Sequence, residues 1–123
     1  MTRWIGRWLM GTALIHTVVA TFQYSDVLAS VVDRGVFNTV VGDPVTGAVI
    51  WSLLFGAVAM IGGLAVSSLE KCQALLPTSL GWCLLALAIT GAALVPVSGF
   101  WLHFVPSIAI LLKKQDAMSA LGS

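Results

Sequence analysis

The sequence carries very little charge. Only 9% of its 123 residues are Asp, Glu, Lys or Arg, against about 25% in typical soluble domains. Hydrophobic residues make up 59%, and a soluble chain this short cannot bury so much apolar surface. A net charge of +1 provides no basic face for phosphates, which excludes nucleic acid as a partner. We expect one integral membrane domain over residues 1–123, with the lipid bilayer as its surroundings.

Cysteine and the usual catalytic signatures are also scarce. The two cysteines, Cys72 and Cys83, are too few for a metal-binding set, so we expect no metal ion. We expect two free thiols, with a disulfide as the alternative, because both lie near the predicted cytoplasmic side, where thiols stay reduced. The sequence contains no glycine-rich phosphate loop, paired-carboxylate pattern or Ser-His-Asp spacing. No reaction therefore follows from a motif.

Long uncharged runs predict four membrane spans. Residues 8–25, 44–69 and 72–112 contain no Asp, Glu, Lys or Arg, and one crossing needs about 20 residues. The third run is long enough for two crossings, and its break is the proline and glycine segment 96–99. The fold class is therefore all-α, a four-transmembrane-helix bundle with helices at about residues 4–24, 44–69, 79–95 and 99–112. Pro106 predicts a kink or a partial crossing in the fourth helix.

Basic residues predict the orientation. Five of the six flank one side of the spans, where we expect the cytoplasm: Arg3, Arg7, Lys71, Lys113 and Lys114. The N-terminus and the C-terminus then both lie in the cytoplasm, and the loop after the first span faces outward. Arg34 lies in that outer loop.

The outer loop has helical periodicity of its own. Val27, Leu28, Val31 and Val32 share one helical face, which predicts a short amphipathic helix between the first and second spans. Ser25 is its predicted N-cap and Gly35 its predicted C-terminal stop. Asp43 is placed to cap the second span, with Pro44 at the first helical position.

Small residues line the second and third spans. The stripes are Ala48, Ser52, Gly56, Ala59 and Gly63 on the second, and Gly81, Ala88 and Ala92 on the third. In lipid, small residues let helix backbones approach closely. The stripes predict helix contacts within the chain, and a homo-oligomer seam is the alternative.

Several strings together resemble a family of small bacterial four-helix membrane proteins of unknown function. They are Val36-Phe37-Asn38-Thr39-Val40, Gly42-Asp43-Pro44, Trp51 with Phe55-Gly56, Leu80-Gly81-Trp82 and Pro96-Val97-Ser98-Gly99-Phe100-Trp101. The resemblance implies a bacterial protein, hence one of the cytoplasmic (inner) membrane, with four spans. It implies no reaction, cofactor or site.

His16 is the strongest candidate for a functional residue, because an ionisable side chain near mid-bilayer is costly to place there. Thr12 and Gln23 lie on the same helical face. The alternative is a structural imidazole that hydrogen-bonds to a neighbouring helix. His103 either reaches interfacial water or shares a cavity with His16. The candidate ligand-binding residues are His16, Gln23, Asn38, Trp51, Trp101 and His103.

Three functions follow as hypotheses. The first is the binding of a small apolar, lipid-like ligand or of a partner helix. The second is a membrane enzyme of isomerase type, with His16 as the acid–base group and Asn38 or Asp43 assisting. The third is haem binding, with His16 and His103 as axial ligands. Asp43 also has the ordinary interpretation of a helix cap.

The topology is testable with reporter fusions. A fusion at Ser123 should report the cytoplasm and a fusion at Asp33 the opposite side, because the basic residues divide five to one. A Ser123 fusion that reports the periplasm would contradict the predicted topology.

Overall fold

The regular secondary structure of the described part of the chain is all helical, with no strand. The structure, a computed structural model, describes the backbone of residues 3–121 and the side chains of residues 3–113. Its helices are α1 (Ile5–Gln23), α2 (Ser25–Asp33), α3 (Pro44–Lys71), α4 (Thr78–Leu94) and α5 (Phe104–Leu121). A 3₁₀ helix, Gly99–His103, precedes α5. The side chain of Lys114 and all of Ser123, named above in the topology, lie outside the described residues.

Two helices, α1 and α3, are long and apolar enough to cross a membrane. The helices Thr78–Leu94 and Gly99–Lys113 are apolar but shorter. α1 packs along α3, α4 packs along α5, and α1 also contacts the 3₁₀ helix and α5. α1 therefore joins the long helix α3 to the α4–α5 hairpin.

Close backbone contact holds α1 against α3. A Cβ atom built on Gly6 would collide with the backbone nitrogen of Ser67, and one on Gly56 with the hydroxyl of Thr17. A Cβ atom on Gly63 would lie 2.8 Å from the backbone nitrogen of Met10. The glycines of the α3 stripe thus form a contact within the chain, as their spacing predicts.

Glu70 fixes the same helix pair at one end. Its carboxylate is buried near the C-terminus of α3 and accepts hydrogen bonds from the backbone N–H groups of Ile5 (3.2 Å) and Gly6 (2.9 Å). These two donors open α1 and have no partner within the helix. A carboxylate there also complements the positive end of the helix dipole. A side chain 64 residues away in sequence from Gly6 therefore caps α1.

A small apolar core lies beside this cap. Ile5, Leu9, Val66 and Ile110 are buried together. They come from α1, α3 and α5, so the core joins the α4–α5 hairpin to α1 and α3. Trp4, Leu76, Leu80, Leu84 and Ala109 pack around it.

The segment between α1 and α3 closes as its sequence predicts, with one correction. Gly35 has φ +88°, and the N–H groups of Gly35 and Val36 donate to the carbonyls of Val32 and Val31, which is a Schellman C-cap. Ser25, however, is the first residue of α2 rather than its cap, and no side chain caps the helix. The reason is that α2 begins directly after α1, with Tyr24 between them.

Asp43 caps α3. Its carboxylate accepts from the backbone N–H of Thr46 at 3.1 Å and from the Thr46 hydroxyl at 2.7 Å. Arg34 lies 3.6 Å from the carboxylate and also donates to Thr46. The hydroxyl of Thr46, then its backbone N–H, and more weakly the Arg34 charge lower the pKa of the Asp43 carboxyl below its ordinary value.

The fourth predicted helix, residues 99–112, needs correction at both ends. It begins as a 3₁₀ helix and becomes α-helical only at Phe104, and it continues to Leu121. Pro106 lies in the first turn of α5, where its missing N–H costs little. The extension beyond Leu112 contains Lys113, Lys114 and Gln115, which favour helix.

The missing N–H of Pro106 has a consequence for packing. In a regular helix it would donate to the carbonyl of Leu102, four residues earlier. That carbonyl instead accepts a hydrogen bond from the indole nitrogen of Trp8, at 2.9 Å. The 3₁₀ helix is thereby attached to α1.

The glycine contact predicts a contrast between two neighbouring residues. Gly63→Ala should lower the stability by about 1–3 kcal/mol, because the new methyl group meets the backbone of α1. Gly62→Ala is the matched control, since a Cβ atom there has nothing within 4 Å. Thermal unfolding in mild detergent should show a lower Tm for Gly63→Ala alone, and equal Tm values would contradict the contact.

The Asp43 cap predicts a pH dependence. The pKa of the Asp43 carboxyl is lower in the folded state than in the unfolded state. The ionised carboxylate therefore stabilises the fold fully at pH values above the unfolded-state pKa. This stabilisation is lost as the pH falls through the folded-state pKa. The stability difference between the wild type and Asp43→Ala should therefore shrink on acidification. Thr46→Val should shift the loss to higher pH. Urea unfolding over a pH series measures both effects, and a pH-independent difference would refute the cap.

Candidate functional site

A cavity of about 450 Å³ lies between α1, α3 and the segment of residues 95–103. α1 contributes His16 and Gln23, α3 contributes Ser52, and the 3₁₀ helix contributes His103. Thr12 also lines it, as the shared helical face with His16 predicts. The two histidines, 87 positions apart in the printed sequence, therefore share one cavity.

His16 is held by α3. Its Nε2 atom lies 3.0 Å from the backbone carbonyl of Ser52 and 3.3 Å from the Ser52 hydroxyl. A carbonyl oxygen only accepts hydrogen bonds, so Nε2 carries the proton and donates. In a neutral ring Nδ1 is then an acceptor. The imidazole faces the helix bundle, as the expected mid-bilayer position of His16 predicts.

Gly56 makes room for this imidazole. A Cβ atom on Gly56 would lie 3.3 Å from Cδ2 of His16, which is tight for a carbon contact. The glycine stripe that joins α1 to α3 therefore also determines where the histidine ring sits.

Aromatic rings connect the two histidines. The ring of Phe55 meets His16 edge-on at a centroid distance of 5.8 Å, and Phe100 lies 6.1 Å from His103. Phe55 and Phe100 are 6.5 Å apart. Phe100 in turn packs on Gly91 of α4, where a Cβ atom would collide with its ring. Phe100 is thus fixed by the hairpin and supports one wall of the cavity.

His103 differs from His16 in its hydrogen bonding. Its Nδ1 atom is buried and has no hydrogen-bond partner. The carbonyls of Gly99 and Phe100 lie close to the ring, but neither completes a hydrogen bond with Nδ1. A buried polar atom without a hydrogen-bond partner is costly.

The remaining candidate residues do not line the cavity. Asn38 lies in the loop between α2 and α3 with φ +59°, and Asp43 is engaged as the cap of α3. Trp51 is 71% exposed on α3. Trp101 is exposed and donates its indole N–H to the carbonyl of Pro96. Of the six ligand-binding candidates, His16, Gln23 and His103 are brought together.

Sequence reasoning missed the apolar and small members of the site. Phe55, Phe100 and Ser52 line the cavity, yet in sequence they are indistinguishable from packing residues. The spacing of Ser52 and Gly56 on the small-residue stripe was the available signal for Ser52. Among the described residues no group of three or more His, Cys, Asp or Glu side chains is arranged to hold a metal ion.

Comparison with known proteins places the chain in a family. Neither the curated proteins nor the solved structures give a match. A family model described as a family of unknown function (DUF6463) matches residues 1–117, which is nearly the whole chain. The chain therefore belongs to the family of unknown function DUF6463.

Proposed function

We propose that this chain is a four-span protein of the bacterial inner membrane that binds a small lipid-like ligand in the cavity between His16 and His103. Both termini lie in the cytoplasm in this proposal. The two long apolar helices and the five-to-one division of basic residues support it. The two shorter apolar helices supply the third and fourth crossings, each roughly 25 Å long at 1.5–2 Å per residue.

The exposed surface of the helices supports a lipid environment. Large apolar side chains such as Leu14, Val18, Trp51, Val58 and Ile61 are about half or more exposed. An apolar surface of this extent on a small protein indicates a membrane or a partner. α2, with Val31 buried and Val32 exposed, would lie along the outer leaflet.

The single observation that carries ligand binding is the cavity itself. It combines two imidazoles, a glutamine and a serine with aromatic walls, and ligand sites are mostly apolar with a few placed polar groups. A structural histidine alone would account for the His16–Ser52 contact. It would not account for a second imidazole that lines the same space.

Acid–base catalysis is less well supported by the geometry. Asn38 and Asp43, the proposed assistants of His16, do not line the cavity. Asp43 already accepts two hydrogen bonds from Thr46. Binding therefore remains the better supported function, and an isomerase reaction would rest on His16 and His103 alone.

The proposal predicts a co-purifying small molecule. Native mass spectrometry of the full chain in mild detergent should show a bound species whose occupancy falls several-fold in His16→Phe. Trp51→Phe, which leaves the cavity intact, should retain it. If His16 is purely structural, His16→Phe should lower the Tm while the surviving folded protein keeps its ligand.

The same preparation addresses the haem hypothesis and oligomerisation. Haem bound by His16 and His103 would colour the sample, and a homo-oligomer would appear as multiples of the chain mass. A colourless preparation without any bound small molecule would contradict both ligand proposals.

A further inference from the structure

From the chemistry of the cavity walls we infer that the ligand is a neutral amphiphile: its polar end is an uncharged hydroxyl placed between His16 and His103, and its hydrocarbon chain leaves the cavity into the bilayer. This inference deepens the proposed function and rests on it. Three properties of the cavity, its charge, its hydrogen-bonding capacity and its rim, support it.

The cavity carries no fixed charge. None of the described residues that line it is Asp, Glu, Lys or Arg. A phosphate or a carboxylate would find no cation there, and an ammonium group would find no carboxylate. Because an unpaired charge away from water is strongly disfavoured, the walls select an uncharged polar group.

The ring nitrogens of the two histidines favour a ligand group that both donates and accepts a hydrogen bond. His16 donates through Nε2 to Ser52, which leaves its Nδ1 as an acceptor in the neutral ring. Nδ1 of His103 is closed off from the cavity, so Nε2 is the nitrogen that this ring can offer to a ligand. A hydroxyl can donate to Nδ1 of His16 and accept from Nε2 of His103, whereas a ketone or ester carbonyl can only accept. The hydroxyl is therefore the polar group that fits this pair.

The rim of the cavity is apolar and exposed. Ile15 and Val19 of α1 and Val95 and Val97 of the hairpin line it, and each is half or more exposed. Side chains of this kind contact hydrocarbon in a bilayer. An amphiphile can thus place its polar end among the imidazoles while its chain lies across these side chains among the lipids.

Photoaffinity labelling tests the inference directly. The full-length protein in mild detergent is incubated at about pH 8 with three diazirine-bearing probes of equal chain length: a hexadecanol, its phosphate monoester and a hexadecyl trimethylammonium. Labelled peptides are mapped by mass spectrometry. We expect the alcohol to label cavity residues at least tenfold more than either charged probe.

Two variants locate the hydroxyl, and one serves as a control. His103→Phe keeps an aromatic ring at this position and should lower alcohol labelling at least fivefold. Gln23→Leu, at the same cavity but away from the imidazoles in sequence, should have a smaller effect. Trp51→Phe lies outside the cavity and should label like the wild type. The Tm of each variant establishes that the labelled protein is folded.

The outcomes separate the two proposals. If a charged probe labels the cavity as strongly as the alcohol, the hydroxyl inference is wrong and ligand binding stands. If folded His103→Phe labels like the wild type, the hydroxyl does not engage that imidazole and the inference is again overturned. If no probe labels cavity residues above the level of random surface labelling, the proposed function fails together with the inference.

Discussion

The direct backbone contact between α1 and α3 determines the rest of the architecture. Gly6, Gly56 and Gly63 add no side chain of their own to this contact, and in the proposed lipid surroundings close packing of this kind is the main attraction between helices. The Glu70 carboxylate secures one end of the pair by pairing the open N–H groups of α1. The position of His16 opposite Ser52 follows from this register.

The hairpin depends on a second and weaker attachment. Pro106 leaves the carbonyl of Leu102 without its helical partner, and the Trp8 indole supplies one. This hydrogen bond places the 3₁₀ helix beside α1, so that His103 shares the cavity with His16. Pro106 thus contributes to the geometry of the site because its missing N–H leaves the Leu102 carbonyl free to accept from Trp8.

Local signals in the sequence were enough for most of the helices and for two of the three predicted caps. Asp43 before Pro44, and Gly35 after the amphipathic run, place their helix ends correctly because capping involves residues a few positions apart. The boundary at Phe104 was missed, because Gly99 and Pro106 both fit a helix start and the 3₁₀ turn lies between them. The expectation that His16 would face the bundle also agrees with the structure.

The tertiary contacts were beyond sequence reasoning. Glu70 binds a helix start 65 residues before it, and Trp8 reaches a carbonyl 94 residues later. Neither pair has a spacing pattern, since the pairing depends on how whole helices dock. His16, Gln23 and His103 could be anticipated as cavity residues because their side chains are polar. Phe55 and Phe100 could not, because their place in the cavity also depends on how the helices dock.

The unequal helix lengths give the protein a hydrophobic thickness that differs from one side to the other. α3 is 28 residues long and α4 is 17, or roughly 42 Å against 26 Å at 1.5 Å per residue. On the proposed topology, lipids beside α3 meet a helix longer than a hydrocarbon layer of about 30 Å, and lipids beside the hairpin meet a shorter one. The bilayer must thin along the hairpin or α3 must tilt, each at a modest cost per ångström of mismatch. Such a protein would partition between membranes according to their thickness. The lipids of the thinned bilayer would lie beside the hairpin, on the side where the cavity opens.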